Sequence, residues 1–257
     1  MKTDITPGSE RLVGRRQFLK TSGGVVIFIG AAGLLPQLIS CKDTNKVREQ
    51  LEKHSITAWV QITEDGEIII YNPAAEMGQG SMTALPLIFA EEMDADWSNV
   101  KVEFSPQEAD IYGSEGWTPG TKLMFTVGSR TTKSYYPVMR KAGAQARYVL
   151  LSSAALHWDV PISELTTQDS FVIHENSNKR IGFGELVPFL VMPETLPDFT
   201  GEGLKNQIDF GLIGKKIPRT EIPDKVSGSA QFAIDIRLPD MVYGVLERGK
   251  LHGAKPT

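Results

Sequence analysis

Two β-prone runs, Ala58-Trp59-Val60-Gln61-Ile62 and Ile68-Ile69-Ile70-Tyr71, flank Glu64-Asp65-Gly66-Glu67, and an Asp-Gly pair between such runs predicts a tight hairpin turn. The second run leads through Asn72-Pro73-Ala74-Ala75 into Glu76-Met77-Gly78-Gln79-Gly80. Beyond that turn Met82, Leu85, Ile88, Phe89 and Met93 recur at helical spacing as far as the polar stop Asp94-Ala95-Asp96. A strand feeding a helix through a short glycine turn commits this stretch to mixed α and β structure. Two glycines one residue apart let a ligand approach the backbone closely, and the helix start that follows offers free N–H groups and a positive dipole end to an anion. Gln79 between them can donate and accept at once, which suits the edge of a heterocycle. The same G-x-G spacing also fits a plain glycine turn joining strand to helix.

Val100, Val102 and Phe104 alternate with Lys101 and Glu103, predicting a half-buried strand. Gln107 to Lys122 is rich in Gly, Pro and Ser and reads as a surface loop. From Ser129 a long amphipathic helix is predicted to about Trp158, carried by Tyr135, Met139, Ala142, Ala146, Val149 and Ala154. Pro137 should mark its true start or kink its first turn. Phe171 to His174 and Arg180 to Phe183 form a second hairpin, with a short helix after Gly184. Residues 192–209 read as a linker. Phe232-Ala233-Ile234 and Val242-Tyr243-Gly244-Val245-Leu246 then read as strands of a new β-rich unit.

The chain has 257 residues with 27 Lys and Arg against 31 Asp and Glu, a formal net charge of −4. That balance argues against nucleic acid as the main partner, which needs a basic face. A single cysteine, Cys41, excludes an intramolecular disulfide, a cysteine-rich zinc site and a self-held iron–sulfur cluster. The four histidines are too scattered for a local metal motif. Arg15-Arg16 precede Phe18-Leu19-Lys20, and Thr21 to Ile39 follow without a charge, the layout of a twin-arginine export signal. A membrane anchor is the competing reading, but Gly23, Gly24, Gly30, Gly33 and Pro36 make the stretch poorly helical. Cys41 follows Leu38-Ile39-Ser40 as in a lipobox, so residues 1–40 are expected to be a signal ending at a lipidated cysteine, and 41–55 a polar tether. Loss of residues 1–40 moves the formal net charge to −7.

Residues 58–155 together resemble the molybdenum-cofactor-binding domain of the xanthine oxidase and aldehyde oxidase family. The ordered match comprises the strand hairpin, the Glu76-Met77-Gly78-Gln79-Gly80 turn, the helix, the short strand Val100-Lys101-Val102-Glu103, a glycine-rich loop, and the small-residue segment Thr126-Val127-Gly128-Ser129-Arg130-Thr131-Thr132 opening a long helix. The resemblance implies that Gly78, Gln79, Gly80, Gly128, Ser129, Arg130 and Thr131 hold a molybdenum–pterin cofactor, expected as molybdopterin cytosine dinucleotide. Arg130 stands where the family more often has a small hydroxyl residue. Gly128-Ser129 can equally serve as a helix N-cap.

Ile213 to Arg219, Asp224 to Asp235 and Pro239 to Gly244 resemble the entry to that family's α/β hammerhead domain. The hammerhead following the cofactor turn, together with a leader, is similar to the large (beta) subunit of isoquinoline 1-oxidoreductase. The implied fold class is α+β, with a cofactor-binding segment at 56–191, a linker at 192–209, and an incomplete hammerhead domain at 210–257. The implied function is that of the N-terminal part of an exported molybdenum hydroxylase. It would oxidise an N-heterocycle or aldehyde with water as oxygen donor and pass electrons to a small [2Fe-2S] subunit, with a cytochrome c as candidate acceptor. No catalytic residue or metal ligand is assigned in this chain. The general-base glutamate is expected beyond residue 257, and the fragment alone is expected to be inactive. Glu76 is accounted for by its turn, and Glu91 and Glu92 are expected on a solvated helix face. The expected location is periplasmic, through a lipid anchor. The alternative is a non-catalytic exported lipoprotein that keeps the cofactor-domain core as a binding or scaffold module.

Overall fold

The structure, a computed structural model, describes residues 55–248 and Gly253. Arg15, Arg16 and Cys41, and all of the expected signal and tether except Ser55, lie outside the described residues. The described chain divides into two compact units at Thr220 and Glu221.

In the first unit a four-stranded sheet is built from β1 (Ser55–Thr57), β2 (Val60–Ile62), β3 (Ile68–Asn72) and β4 (Val100–Phe104), in that order. The expected hairpin is β2–β3, antiparallel with Gln61 opposite Ile69, and its turn is closed by Gly66 at φ 91°. β3 and β4 are parallel, from Ile68 opposite Val100 to Asn72 opposite Phe104. Parallel neighbours need a crossover, and helix α1 (Ser81–Met93) supplies it. The Glu76–Gly80 turn therefore sits at the carboxyl end of a parallel strand where the chain enters a helix, a position open α/β sheets use for ligands.

The 107–122 stretch carries more order than a surface loop. It holds a one-turn helix α2 (Ala109–Tyr112) and strand β5 (Ser114–Glu115), which pairs with β6 (Lys122–Leu123). Tyr112 is buried there and donates to the Ala58 carbonyl at 2.6 Å. The long helix α3 spans Thr131–Trp158, so Pro137 is not its start. The proline falls on an exposed side of the second turn, and burial of Tyr135 and Met139 on either side outweighs the one backbone bond it removes. Strands β7 (Thr166–Gln168), β8 (Phe171–His174) and β9 (Lys179–Gly182) form an antiparallel sheet, one strand more than the expected hairpin, and α4 (Phe183–Leu186) follows.

The core lies where α1 and α3 cross beneath the first sheet. Val60, Ile62, Ile68 and Ile70 meet Leu85, Phe89, Met93, Met139, Val149 and Leu150. Gly143 sets the helix spacing, since a Cβ there would lie 2.4 Å from the Phe89 carbonyl oxygen. α1 is buried almost all round, Glu91 and Glu92 included, which corrects the expectation of a solvated face for those two acids. Phe104, expected to point inward, is largely exposed at the end of β4.

The 192–209 stretch has no regular element beyond a 3-10 turn at Gln207–Asp209, yet it and residues 210–220 pack within the first unit. In the second unit α5 (Ile222–Ser227) ends at Gly228, φ 78°. Neither run expected as a strand there forms one among the described residues. Around Ala233 the chain makes a 3-10 turn instead, because the Asp235 carboxylate accepts from the Phe232 N–H at 3.0 Å while the Asp235 N–H donates to the Phe232 carbonyl at 2.9 Å. Such local bonds compete with a ladder, and a lone hairpin is marginal.

Candidate functional site

The Glu76–Gly80 turn is held by its own side chains. The Glu76 carboxylate accepts from the Gly78 N–H at 2.7 Å, the Gly80 N–H at 3.1 Å and the Met82 N–H at 2.9 Å. Burial by itself would raise the Glu76 pKa, but those three N–H bonds and the Arg219 charge outweigh it and hold the carboxyl below its usual range. The N–H groups expected to stay free for a bound anion at this helix start are thus partly taken by an internal one. Gln79 accepts from the Met77 N–H at 2.6 Å and donates to the Ala75 carbonyl at 2.6 Å and to Ser81 Oγ at 2.8 Å. Its amide, predicted to face a heterocycle, shapes the turn. Gly78 (φ 104°) and Gly80 (φ 84°) are left-handed, and a Cβ on Gly78 would meet only open space.

The second predicted segment lies beside the first, joined by the Ala75 N–H donating to Thr126 Oγ1 at 3.3 Å. Gly128 and Ser129 both have positive φ, 59° and 56°, and the Arg130 N–H closes on the Val127 carbonyl at 3.2 Å, a primed turn that places the glycine first. Ser129 is not the N-cap. Arg130 takes that position and caps nothing with its side chain, so the start of α3 lacks the side-chain acceptor that Glu76 provides at the start of α1. The Arg130 guanidinium lies instead over the stacked rings of Trp117 and Phe125, 5.7 and 5.2 Å from their centroids. Thr131 is buried, whereas Gly128 and Ser129 are exposed.

This arrangement can bind and orient a ligand. Among the described residues no group of His, Cys, Asp and Glu gathers to hold a metal, and no helix is long and apolar enough to cross a membrane. A cleft of about 480 Å³ lies apart from the two turns, between the 111–122 stretch and α3, with Trp59, Lys122, Lys141 and Gln145 on its walls.

Sequence reasoning missed a largely buried charge cluster at the other, carboxyl end of α1. Glu91 accepts from Lys205 Nζ at 2.8 Å and from the backbone N–H groups of Gly211, Leu212 and Ile213 at 2.6–2.9 Å. Lys205 Nζ also reaches Asp94 Oδ1 at 2.6 Å, and Arg147 lies 3.6 Å from Asp94 Oδ2. Burial would raise the Glu91 carboxyl, but the Lys205 and backbone bonds hold it below the usual range. Burial would likewise lower Lys205, but Asp94 and Glu91 push it above the usual lysine value. The only sequence signal was three acids at the polar end of an apolar helix.

A family model described as molybdopterin cofactor-binding domain matches residues 18–209. The beta subunit of isoquinoline 1-oxidoreductase from Brevundimonas diminuta is 36% identical, matching 100% of this chain and 36% of its own length. A nicotinate dehydrogenase chain from Pseudomonas putida is 29% identical over 77% of this chain and 16% of its own. The membrane-bound aldehyde dehydrogenase (pyrroloquinoline-quinone) of Gluconacetobacter polyoxogenes is 32% identical over 73% and 23% respectively. The chain thus spans 36% or less of the length of these relatives. Among solved structures, quinoline 2-oxidoreductase from Pseudomonas putida 86 aligns at a TM-score of 0.37 and 20% identity over 50% of this chain and 15% of its own.

Proposed function

The chain belongs to the molybdopterin cofactor-binding domain family, and from that premise we propose that it is the N-terminal part of the cofactor-holding subunit of an exported molybdenum hydroxylase. The observation that carries this reading is the juxtaposition of two glycine turns, tied by the Ala75 N–H to Thr126 Oγ1 bond, with Gly78 and Gly128 both at positive φ and both open where a Cβ would stand. That is the shape of a cradle in which backbone comes close to a ligand.

In this reading Gly78 and Gly80 line one side, with Gln79 and Glu76 fixing the turn's shape. Gly128, Ser129 and Thr131 line the other, where the start of α3 offers N–H groups and a positive dipole end to an anionic group. Arg130, steered by Trp117 and Phe125, adds positive charge there. When bound, a molybdenum–pterin cofactor of the cytosine dinucleotide form supplies two-electron hydroxylation of an electron-poor carbon, with water as oxygen donor. The protein's share is holding and tuning. The names of the relatives support an N-heterocycle or an aldehyde as substrate. The single cysteine of this stretch is too few to hold an iron–sulfur cluster, and in this reading a small [2Fe-2S] subunit takes the electrons onward, to a cytochrome c. Export follows Arg15-Arg16, and a lipid on Cys41 retains the protein at the periplasmic membrane.

Metal and pterin analysis of the protein purified from its own host tests the proposal. Molybdenum and a pterin in near-stoichiometric amount are the expected result. Their absence from well-folded protein would overturn it in favour of a binding or scaffold lipoprotein.

A further inference from the structure

Residues 203–220 run along α1 from its carboxyl end to its start. Lys205 and the Gly211–Ile213 N–H groups engage Glu91, and at the other end the Thr220 N–H donates to Thr83 Oγ1 at 2.9 Å. Between these anchors Arg219 reaches the glycine turn. Its Nη2 lies 3.3 Å from Glu76 Oε1 and its Nη1 donates to the Gly78 carbonyl at 3.2 Å. Its guanidinium also covers Gly80, since a Cβ there would sit 3.7 Å from Arg219 Cζ and Nε. The Glu76 side chain is only 4% exposed, so water screens its charge poorly.

We propose that Arg219 is a positioning residue for the cofactor turn, neutralising Glu76 and fixing the Gly78 peptide so that an anionic ligand can approach Gly78-Gln79-Gly80. This rests on the cofactor reading above. Glu76 is needed to hold three backbone N–H groups, but as an uncompensated anion it would repel a phosphate or pterin oxygen brought to the same turn. Arg219 removes that conflict because a guanidinium serves two acceptors at once, the carboxylate and the carbonyl. A lysine could offer the charge but not the fork.

The test compares Arg219→Gln, Arg219→Lys, Glu76→Gln and the double variant Glu76→Gln/Arg219→Gln with wild type, each purified from the native host. Molybdenum and pterin are measured per folded molecule, and amide exchange of Gly78, Gly80 and Met82 is measured on cofactor-free protein. Arg219→Gln should lower occupancy about tenfold or more and speed exchange at those amides, with Arg219→Lys in between. In the Glu76→Gln background the same change should cost less than about twofold, since no anion is left to neutralise. Full occupancy in Arg219→Gln beside a loaded wild type would overturn the proposal and leave the cofactor reading standing. An equal loss in both backgrounds would also overturn it, because Arg219 would then not act by neutralising Glu76. A wild type without molybdenum would defeat the cofactor reading itself. If Arg219→Gln does not fold, Arg219→Lys decides, and unchanged occupancy and exchange in it would overturn the proposal.

Discussion

Glu92 and Arg140 meet across the α1–α3 crossing, Oε1 lying 2.6 Å from Nε and 2.5 Å from Nη2, with the Glu92 side chain fully buried. The other carboxylate oxygen accepts from the Lys205 N–H at 3.0 Å. One buried anion thus fastens two helices and the 203–220 segment together.

Arg140→Ala should destabilise the protein by about 3 kcal/mol in denaturant unfolding, because it leaves a buried carboxylate with only Arg147, 4.0 Å away, as its cation. Glu92→Met combined with Arg140→Met should cost far less than the single change, since apolar side chains of similar volume leave no charge unpaired. A double variant as unstable as Arg140→Ala would mean that packing, not charge, sets the loss.

The pH dependence of the 203–213 segment follows from two opposite shifts. The Glu91 carboxyl is held below its ordinary value of 4.5, so its contribution is complete above that value and is lost as pH falls through the lower folded pKa. Lys205 is held above its ordinary 10.5, so its contribution is complete below that value and is lost as pH rises through the higher folded pKa. Limited proteolysis should find the segment protected between these limits and cut more readily on either side. Glu91→Gln should expose it to cleavage at neutral pH and flatten the acid response.

Gln79→Leu removes three hydrogen bonds inside the turn and should lower molybdenum per folded molecule, with a stability loss of about 1–3 kcal/mol. Gly80→Val should do worse, because a β-branched side chain resists φ 84°. Gly66→Ala is the control. It strains a distant hairpin turn and should leave the metal content per folded molecule unchanged.

Export and anchoring are tested by fractionation. Arg15→Lys with Arg16→Lys should trap the protein in the cytoplasm, and unchanged periplasmic delivery would refute a twin-arginine route. Cys41→Ser should release the exported protein into a soluble fraction, because durable anchoring needs more than one acyl chain and all would be lost together. An unmodified Cys41 in exported protein, seen by mass spectrometry, would contradict lipidation.

The elements written in short-range pattern were legible. The Asp65-Gly66 hairpin, α1 up to Asp94 and the body of α3 all follow from turn chemistry and periodicity. Contacts between distant residues were not. Glu91 and Glu92 look like surface acids until Lys205, Arg140 and the Gly211–Ile213 N–H groups, far along the chain, are brought to them. Glu76 was legible as part of its turn, whereas Gln79 was legible as special but not in its direction, because side-chain bonds back to a turn leave no periodic trace. The strands expected at 232–234 and 242–246 failed for the opposite reason, since β propensity needs a neighbouring strand that no local pattern supplies.

Because the Glu76–Gly80 turn carries its own anion at the head of α1, the left-handed geometry of its glycines is held by bonds internal to the chain. A guest received there meets a preorganised loop, so the entropy of ordering that backbone is charged to folding and not to binding. Affinity at such a turn is then governed by the fit of the guest to a fixed shape.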